Sequence, residues 1–83
     1  MKARISIRLK PAILDPQGKT VQQALLQMGY TDVNTVRIGK LVELDIAGND
    51  PAEVRKQVED FSRKLLTNPL METFEIELGR DAG

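Results

Sequence analysis

The chain has 83 residues, of which 41% are hydrophobic and 29% charged, and its 12 basic and 12 acidic side chains give a formal net charge of zero. This length predicts one small domain over residues 1–83 with a thin core, because such a chain buries only about 60 to 65% of its unfolded surface. Cysteine and histidine are absent, which excludes disulfides, thiol nucleophiles, thiolate metal sites and histidine chemistry. No long apolar run and no signal-peptide pattern follow Met1, so we expect a cytoplasmic protein.

The first predicted element is a strand over residues 2–10, where apolar and polar side chains alternate strictly. One face carries Ala3, Ile5, Ile7 and Leu9, and the other carries Lys2, Arg4, Ser6, Arg8 and Lys10. A strand that is apolar on one face and basic on the other is expected to cover a core with the first face only.

A helix is predicted next, with Asp15 as its N-cap and Pro16 as its first residue. Apolar residues then repeat at helical spacing, namely Val21, Ala24, Leu25 and Met28. Gly29 is expected to end the helix. Gly18 would lie in the first turn, where glycine costs about 1 kcal/mol relative to alanine, so a start nearer Lys19 stays open.

Residues 33–46 are predicted to form a hairpin. Two short segments, 36–38 and 42–46, alternate between apolar and polar side chains. Gly39 and Lys40 lie between them, and glycine permits a tight reversal. We therefore expect two antiparallel strands with their turn at these residues.

The second helix has a stronger start signal, because Asp50 as N-cap, Pro51 at the first position and Glu53 form an arrangement like a capping box. Its expected inward face carries Val54, Val58, Phe61 and Leu65, and Asn68-Pro69 ends it. Residues 73–78 alternate again and form the last predicted strand, and the tail over residues 79–83 is expected to fray.

The order strand, helix, strand, strand, helix, strand predicts an α+β fold, the ferredoxin-like βαββαβ antiparallel sheet with two helices on one face. The first and third strands would lie side by side at the centre, with the fourth beside the first. The basic face of the first strand would then lie between Glu43 and Asp45 on one side and Glu75 and Glu77 on the other. Basic residues dominate up to residue 42 and acidic ones follow, so this asymmetry indicates charge pairing across the sheet.

Several apolar residues fall outside these predicted faces, and one thin chain has little left to cover them. They are Ile13, Leu14, Leu26, Tyr30, Val33, Leu41, Leu66, Leu70 and Met71. We therefore predict a homo-oligomer, joined at a sheet edge or by exchange of the hairpin's first strand between subunits. Scattered apolar residues on the surface of a monomer are the alternative.

Familiar chemical motifs do not fit the chain. Gly39-Lys40 lacks the upstream glycine and the following serine or threonine of a phosphate loop. The outward positions of the central strands carry charged residues and serine instead of the aromatic residues with which RNA-binding sheets stack bases. The acidic residues of the sheet project from an open, charge-matched face, which disfavours both acid–base catalysis and binding of a hard cation.

Two stretches remain as candidate sites, residues 14–18 and 36–40. A helix start and a hairpin turn explain much of both, but a turn does not require arginine, and two cations near a bend can meet a phosphate or an acidic surface. The candidate contacts with a partner or phosphate are Arg37, Lys40, Asp15, Gln17 and Gly18.

These two stretches also carry a resemblance to a known family, together with the opening strand and a third stretch. The residues are Leu14-Asp15-Pro16-Gln17-Gly18 leading into Val21 and Ala24-Leu25, Val36-Arg37-Ile38-Gly39-Lys40 with Glu43-Leu44, and Leu65-Leu66-Thr67-Asn68-Pro69. Over nearly the whole chain the sequence resembles the PurS family, the small subunit of phosphoribosylformylglycinamidine synthase in de novo purine biosynthesis.

The resemblance implies a non-catalytic adaptor that forms a homodimer or tetramer. It would assemble an ATP-using synthetase subunit, PurL, with a glutaminase subunit, PurQ, which together convert formylglycinamide ribonucleotide to its amidine with ammonia from glutamine. No cofactor of its own is implied, since ATP, magnesium and glutamine are used by the partner subunits, and neither nucleic acid nor membrane is an implied partner. We expect the adaptor to help ammonia pass between the two enzymes.

Two other functions stay open from the sequence. A small-molecule-sensing regulatory domain of ACT type uses the same element order and binds amino acids at a dimer interface, although such domains are usually attached to an enzyme. A stand-alone enzyme would have to use Asp15 or the acidic sheet face.

Overall fold

Three strands and two α-helices make up most of residues 1–79, which are the residues that the computed structural model of this chain describes. The elements are β1 (Lys2–Leu9), α1 (Pro16–Gln27), β2 (Gly39–Asp45), α2 (Pro51–Phe61) followed by a π-helical turn (Ser62–Leu66), and β3 (Glu72–Gly79). Gly79, expected in a frayed tail, is the last residue of β3; the rest of that predicted tail lies outside the described residues.

The sheet is antiparallel, and β1 is its central strand in the order β2-β1-β3. Ile5 lies opposite Val42 on one side and Ile76 on the other. The prediction that the first strand lies between the strand before the second helix and the strand that ends the chain is therefore confirmed, as is the ferredoxin-like α+β class.

The buried core lies between the sheet and α2. Ala3, Ile5 and Ile7 of β1 and Val54 and Val58 of α2 are each at most 2% exposed. Each large side chain among them contributes about 1.5 to 3 kcal/mol by its burial. Partly buried residues pack around this group, namely Met1, Val42, Leu44, Ile46, Phe61, Leu66, Phe74, Ile76 and Leu78. The core is thin, as the length predicts.

The outer face of the sheet carries the predicted charge pairs. Arg4 lies opposite both Glu43 and Glu77, and its Nε lies 3.5 Å from Glu43 Oε2. Arg8 NH2 lies 3.3 Å from Glu75 Oε1. The side chains of both ion pairs are more than half exposed, so each pair stabilises the sheet by at most about 1 kcal/mol.

The predicted hairpin is wrong within the described residues. Residues 36–38 lie outside the sheet, and Gly39 and Lys40 belong to β2 instead of a turn. The backbone N–H of Ile38 donates to a carboxylate oxygen of Asp15 and not to a neighbouring strand. Gly39 does not take positive φ; a Cβ there would lie 2.5 Å from the carbonyl oxygen of Ile7. Gly39 therefore allows β2 to approach β1 closely. The backbone continues through residues 39 and 40 as part of β2 and does not reverse direction there.

Helix α1 begins at Pro16 with Asp15 as its N-cap, so the earlier of the two predicted starts is confirmed. Of its residues only Gly18 is buried, and none belongs to the core. The sheet face that both helices were expected to cover is therefore covered by α2. The Cα radius of gyration is 16.2 Å, against about 12 Å for a compact domain of this length, which reflects this spread arrangement.

The inward face of the second helix was predicted wrongly at its end. Leu65 is 79% exposed, whereas Ser62 is fully buried and Leu66 packs against the core. The cause is the π-helical turn, in which the N–H of Thr67 donates to the carbonyl of Ser62 five residues earlier. The inward positions are consequently 54, 58 and 61, as predicted, followed by 62 and 66.

Candidate functional site

The two stretches singled out from the sequence meet in space. Oδ2 of Asp15, just before α1, accepts a 2.8 Å hydrogen bond from the backbone N–H of Ile38, just before β2. We call this contact region the α1–β2 junction; it consists of Asp15, Gly18, Val36, Arg37 and Ile38.

Asp15 is the most constrained side chain of the junction, with only 8% of its surface exposed. Its Oδ1 accepts a 2.9 Å bond from the N–H of Gly18 and so caps α1. The N–H groups of Gly18 and then Ile38 lower the pKa of this carboxyl, burial opposes them, and the nearby guanidinium of Arg37 lowers it further. The carboxylate is therefore ionised at neutral pH and holds two chain segments together.

Gly18 permits the helix and the residue 33–38 segment to approach closely. A Cβ at this position would collide with the carbonyl oxygen of Val36 and lie 2.6 Å from Oδ2 of Asp15. This explains why a residue with poor helix propensity lies in the first turn of α1.

Arg37 binds within the chain. One of its terminal nitrogens, NH2, donates to the carbonyl oxygens of Leu9 and Lys10 at 2.7 and 3.0 Å. The guanidinium thus ties the segment before β2 to the end of β1. Its predicted contact with a partner or phosphate stays a prediction.

Lys40 lies in β2 and has other partners than Arg37. It pairs with Ile7 in the register, so it lies on the face of the sheet that α2 covers. Its Nζ is 3.6 Å from Oε2 of Glu72, whose Oε1 accepts a 2.8 Å bond from the N–H of Asn68. Because a charged side chain such as that of Lys40 is rarely buried, its position indicates that α2 does not cover this part of the sheet.

A cleft of about 290 Å³ lies beside this uncovered part. Its lining consists of Ile7, Leu9, Asp15, Pro16, Gln17, Ile38, Gly39, Lys40 and Glu72. Three of the five predicted site residues, Asp15, Gln17 and Lys40, therefore share one cleft. Arg37 and Gly18 belong to the junction beside it and do not line it.

Sequence reasoning missed several residues that build this region. Nε2 of Gln22, on α1, donates to the carbonyl oxygens of Asn34 and Val33 at 2.7 and 3.4 Å, and Glu72 joins Lys40 to the turn before β3. Contacts between a side chain and a group far along the chain leave no periodic pattern, so no signal in the sequence identifies the contacts of Gln22 with Val33 and Asn34 or of Glu72 with Lys40.

The arrangement holds chain segments in fixed positions relative to one another. Within residues 1–79 there is no group of three or more acidic side chains placed to hold a metal ion. No helix in that range is long and apolar enough to cross a membrane.

Apolar side chains are exposed along α1 and the residues after it. Val21 and Leu26 are 39% and 41% exposed, and Met28 and Tyr30 are 68% and 58% exposed. Leu14, the residue before Asp15, is 74% exposed. Grouped exposed apolar residues of this kind are typical of a surface that another protein covers.

Comparison with known proteins identifies relatives over nearly the whole chain. A family model described as PurS, phosphoribosylformylglycinamidine (FGAM) synthase, matches residues 2–80. The FGAM synthase subunit PurS of Methanocaldococcus jannaschii is 35% identical over 77 residues, which cover 93% of each chain. A crystal structure of PurS from Bacillus subtilis superposes with a TM-score of 0.83 at 39% identity, over 95% of this chain and 98% of that one. A chain in a structure of PurLQS from Thermotoga maritima superposes with a TM-score of 0.84 at 25% identity, over 92% and 93%.

Proposed function

Because the chain belongs to the PurS family, we propose that it is the small, non-catalytic subunit of FGAM synthase in de novo purine biosynthesis. The observation that carries this proposal is the family match over residues 2–80. The absence of cysteine and histidine from the sequence agrees with a subunit whose partners carry out the catalytic steps.

The partners are the other two components that PurLQS names. A chain similar to this one stands in that assembly from Thermotoga maritima, which supports binding of this protein to PurL and PurQ. In the proposed complex, PurL is the ATP-dependent synthetase and PurQ the glutaminase. ATP, magnesium and glutamine are used by those subunits, and this chain helps ammonia pass between them. The same assignment supports a cytoplasmic location, which we propose for this protein.

Self-association is part of the proposal. The exposed apolar residues of α1 and the large radius of gyration support a homo-oligomer, because one chain leaves these groups uncovered. The outer edges of β2 and β3 pair with no strand of the described chain, so either edge could pair with a second subunit. Residues 33–38, before β2, have no regular secondary structure, so exchange of this segment between subunits is the other route. Sedimentation that gives the monomer mass throughout a micromolar dilution series would refute self-association.

The sensor alternative receives no support from the comparisons, which lead to PurS proteins in family, sequence and structure.

The proposal is tested by reconstitution. Purified PurL and PurQ from the same source are assayed for FGAM synthesis with glutamine, with and without this protein. We expect the protein to raise the glutamine-dependent rate. With ammonium chloride replacing glutamine, PurL alone should act without it, because transfer between subunits is then unnecessary. An unchanged glutamine-dependent rate would refute the proposal.

A further inference from the structure

Helix α1 is joined to the rest of the protein by polar contacts more than by apolar packing. None of its side chains belongs to the core, and its one buried residue is Gly18, at the N-terminal end. The direction in which α1 leaves the sheet is therefore decided at the α1–β2 junction.

Three sets of hydrogen bonds, acting one after another, connect α1 to the segment before β2 and that segment to β1. Asp15 joins the first turn of the helix to the N–H of Ile38. Gln22 joins the second turn to the carbonyl of Asn34. Arg37 then anchors this segment to the carbonyls at the end of β1. Of these groups only Asp15 is nearly buried, and its bonds are charge-assisted, so it is the strongest connection.

We propose that Asp15 is a positioning residue of the synthase: its carboxylate, bonded to the N–H of Ile38, sets the direction of helix α1 that assembly with the other subunits requires. This inference rests on the proposed function. Asp15 contacts no substrate; it acts through the placement of α1 and of the exposed apolar side chains that the helix carries.

The chain contains a matched control for this residue. Asp50 is also an N-cap before a proline, and its Oδ1 accepts a 3.1 Å bond from the N–H of Ala52. The test variants are Asp15→Asn and Asp50→Asn. Asparagine still caps a helix well, but its amide nitrogen cannot accept the second bond, so Asp15→Asn loses the bond to Ile38 while Asp50→Asn has no such bond to lose.

The first readout is the position of α1. Because the chain has no cysteine, spin labels can be attached at Gln27→Cys on α1 and Lys56→Cys on α2, both exposed positions. Labelled protein is diluted with unlabelled protein of the same variant, so that distances within one chain dominate. We expect the distance distribution to broaden in Asp15→Asn and to keep the wild-type width in Asp50→Asn, with both variants folded by circular dichroism.

The second readout is the glutamine-dependent rate as the concentration of this subunit is varied with PurL and PurQ held constant. If only one molecule in about ten keeps α1 in the competent direction, the half-saturating concentration rises about tenfold while the maximal rate is unchanged. Asp50→Asn should stay at the wild-type concentration. Equal behaviour of the two variants in either readout would overturn the inference, as would a broadened distribution with unchanged saturation.

A second variant covers the case in which Asp15→Asn does not fold. Gly18→Ala keeps the carboxylate but inserts a methyl group against the carbonyl of Val36, and it should produce the same two changes. A narrow, unshifted distribution in Gly18→Ala would contradict the inference. If wild-type protein fails to support synthesis, the proposed function fails and the role of Asp15 in assembly fails with it. The distance measurement needs no partner, so it still tests separately whether Asp15 sets the direction of α1.

Discussion

At the scale of single residues, the α1–β2 junction depends on an ionised carboxylate. Asp15 has a pKa below its ordinary value of 3.8, first because the N–H of Gly18 and then that of Ile38 bond its charged form. A carboxyl whose pKa is lowered by folding stabilises the folded state above its unfolded pKa, and this contribution disappears as the pH falls through the folded pKa.

The resulting prediction concerns acid stability. Between about pH 7 and pH 5, wild type should exceed Asp15→Asn in free energy of unfolding by a constant amount, and the difference should shrink below the ordinary carboxyl pKa. Urea unfolding at a series of pH values, at one fixed protein concentration because assembly affects stability, measures it. A difference that persists unchanged at the lowest pH would show that the carboxylate charge is irrelevant.

Two strand glycines allow a matched test of close packing. Gly39→Ala would place a Cβ 2.5 Å from the carbonyl oxygen of Ile7 and 2.8 Å from Cγ of Arg8. Forcing these backbones apart should lower the free energy of unfolding by about 1 to 3 kcal/mol. Gly79→Ala meets no atom within 4 Å and should stay within about 0.5 kcal/mol of wild type. Similar effects of the two substitutions in urea unfolding would contradict the structure.

At the scale of elements, the π-helical turn after α2 buries a polar group. Ser62 is fully buried, and its Oγ has no hydrogen-bond partner within residues 1–79. A buried hydroxyl without a partner costs about 1 to 3 kcal/mol. Ser62→Ala should therefore raise the free energy of unfolding by about 1 kcal/mol in urea, after a small loss of packing. A decrease would show that the hydroxyl is bonded.

The segment between α1 and β2 depends on Arg37 for its anchor. Both bonds of this side chain to the carbonyls of Leu9 and Lys10 are exposed, so Arg37→Ala should cost less than about 1 kcal/mol of stability. It should nevertheless weaken binding to PurL and PurQ, because the segment and α1 lose their anchor. Arg63→Ala, at an exposed position of the π-helical turn, is the control. An unfolded Arg37→Ala would instead make the residue structural.

How much of this could be predicted from the sequence follows from the kind of contact. The strands β1 and β3 and the start of α2 were predictable, because alternation and an Asp-Pro pair at residues 50–51 are local signals. The Asp-Pro pair at residues 15–16 gave one of two alternative starts for α1, since Gly18 left a later start open. The hairpin was predicted wrongly, because the sequence does not distinguish a glycine that allows close approach of two strands from a glycine that forms a turn. The junction was reached only as two separate stretches, because the bonds of Asp15 and Arg37 go to backbone atoms far along the chain.

At the scale of the whole molecule, the structure shows a thin core under α2 and a helix α1 that lies outside it. Such a shape leaves apolar groups exposed in the single chain and is suited to a subunit that is completed by its partners. We therefore expect the function of this protein to be expressed in an assembly with PurL and PurQ.

The most direct test of the proposed assembly is sedimentation of PurL and PurQ, supplied with their substrates, in the presence and absence of this protein. We predict that adding the protein moves both enzymes into one faster species that contains all three chains. PurL and PurQ that sediment separately and unchanged, with this protein remaining in its own peak at saturating concentration, would contradict it.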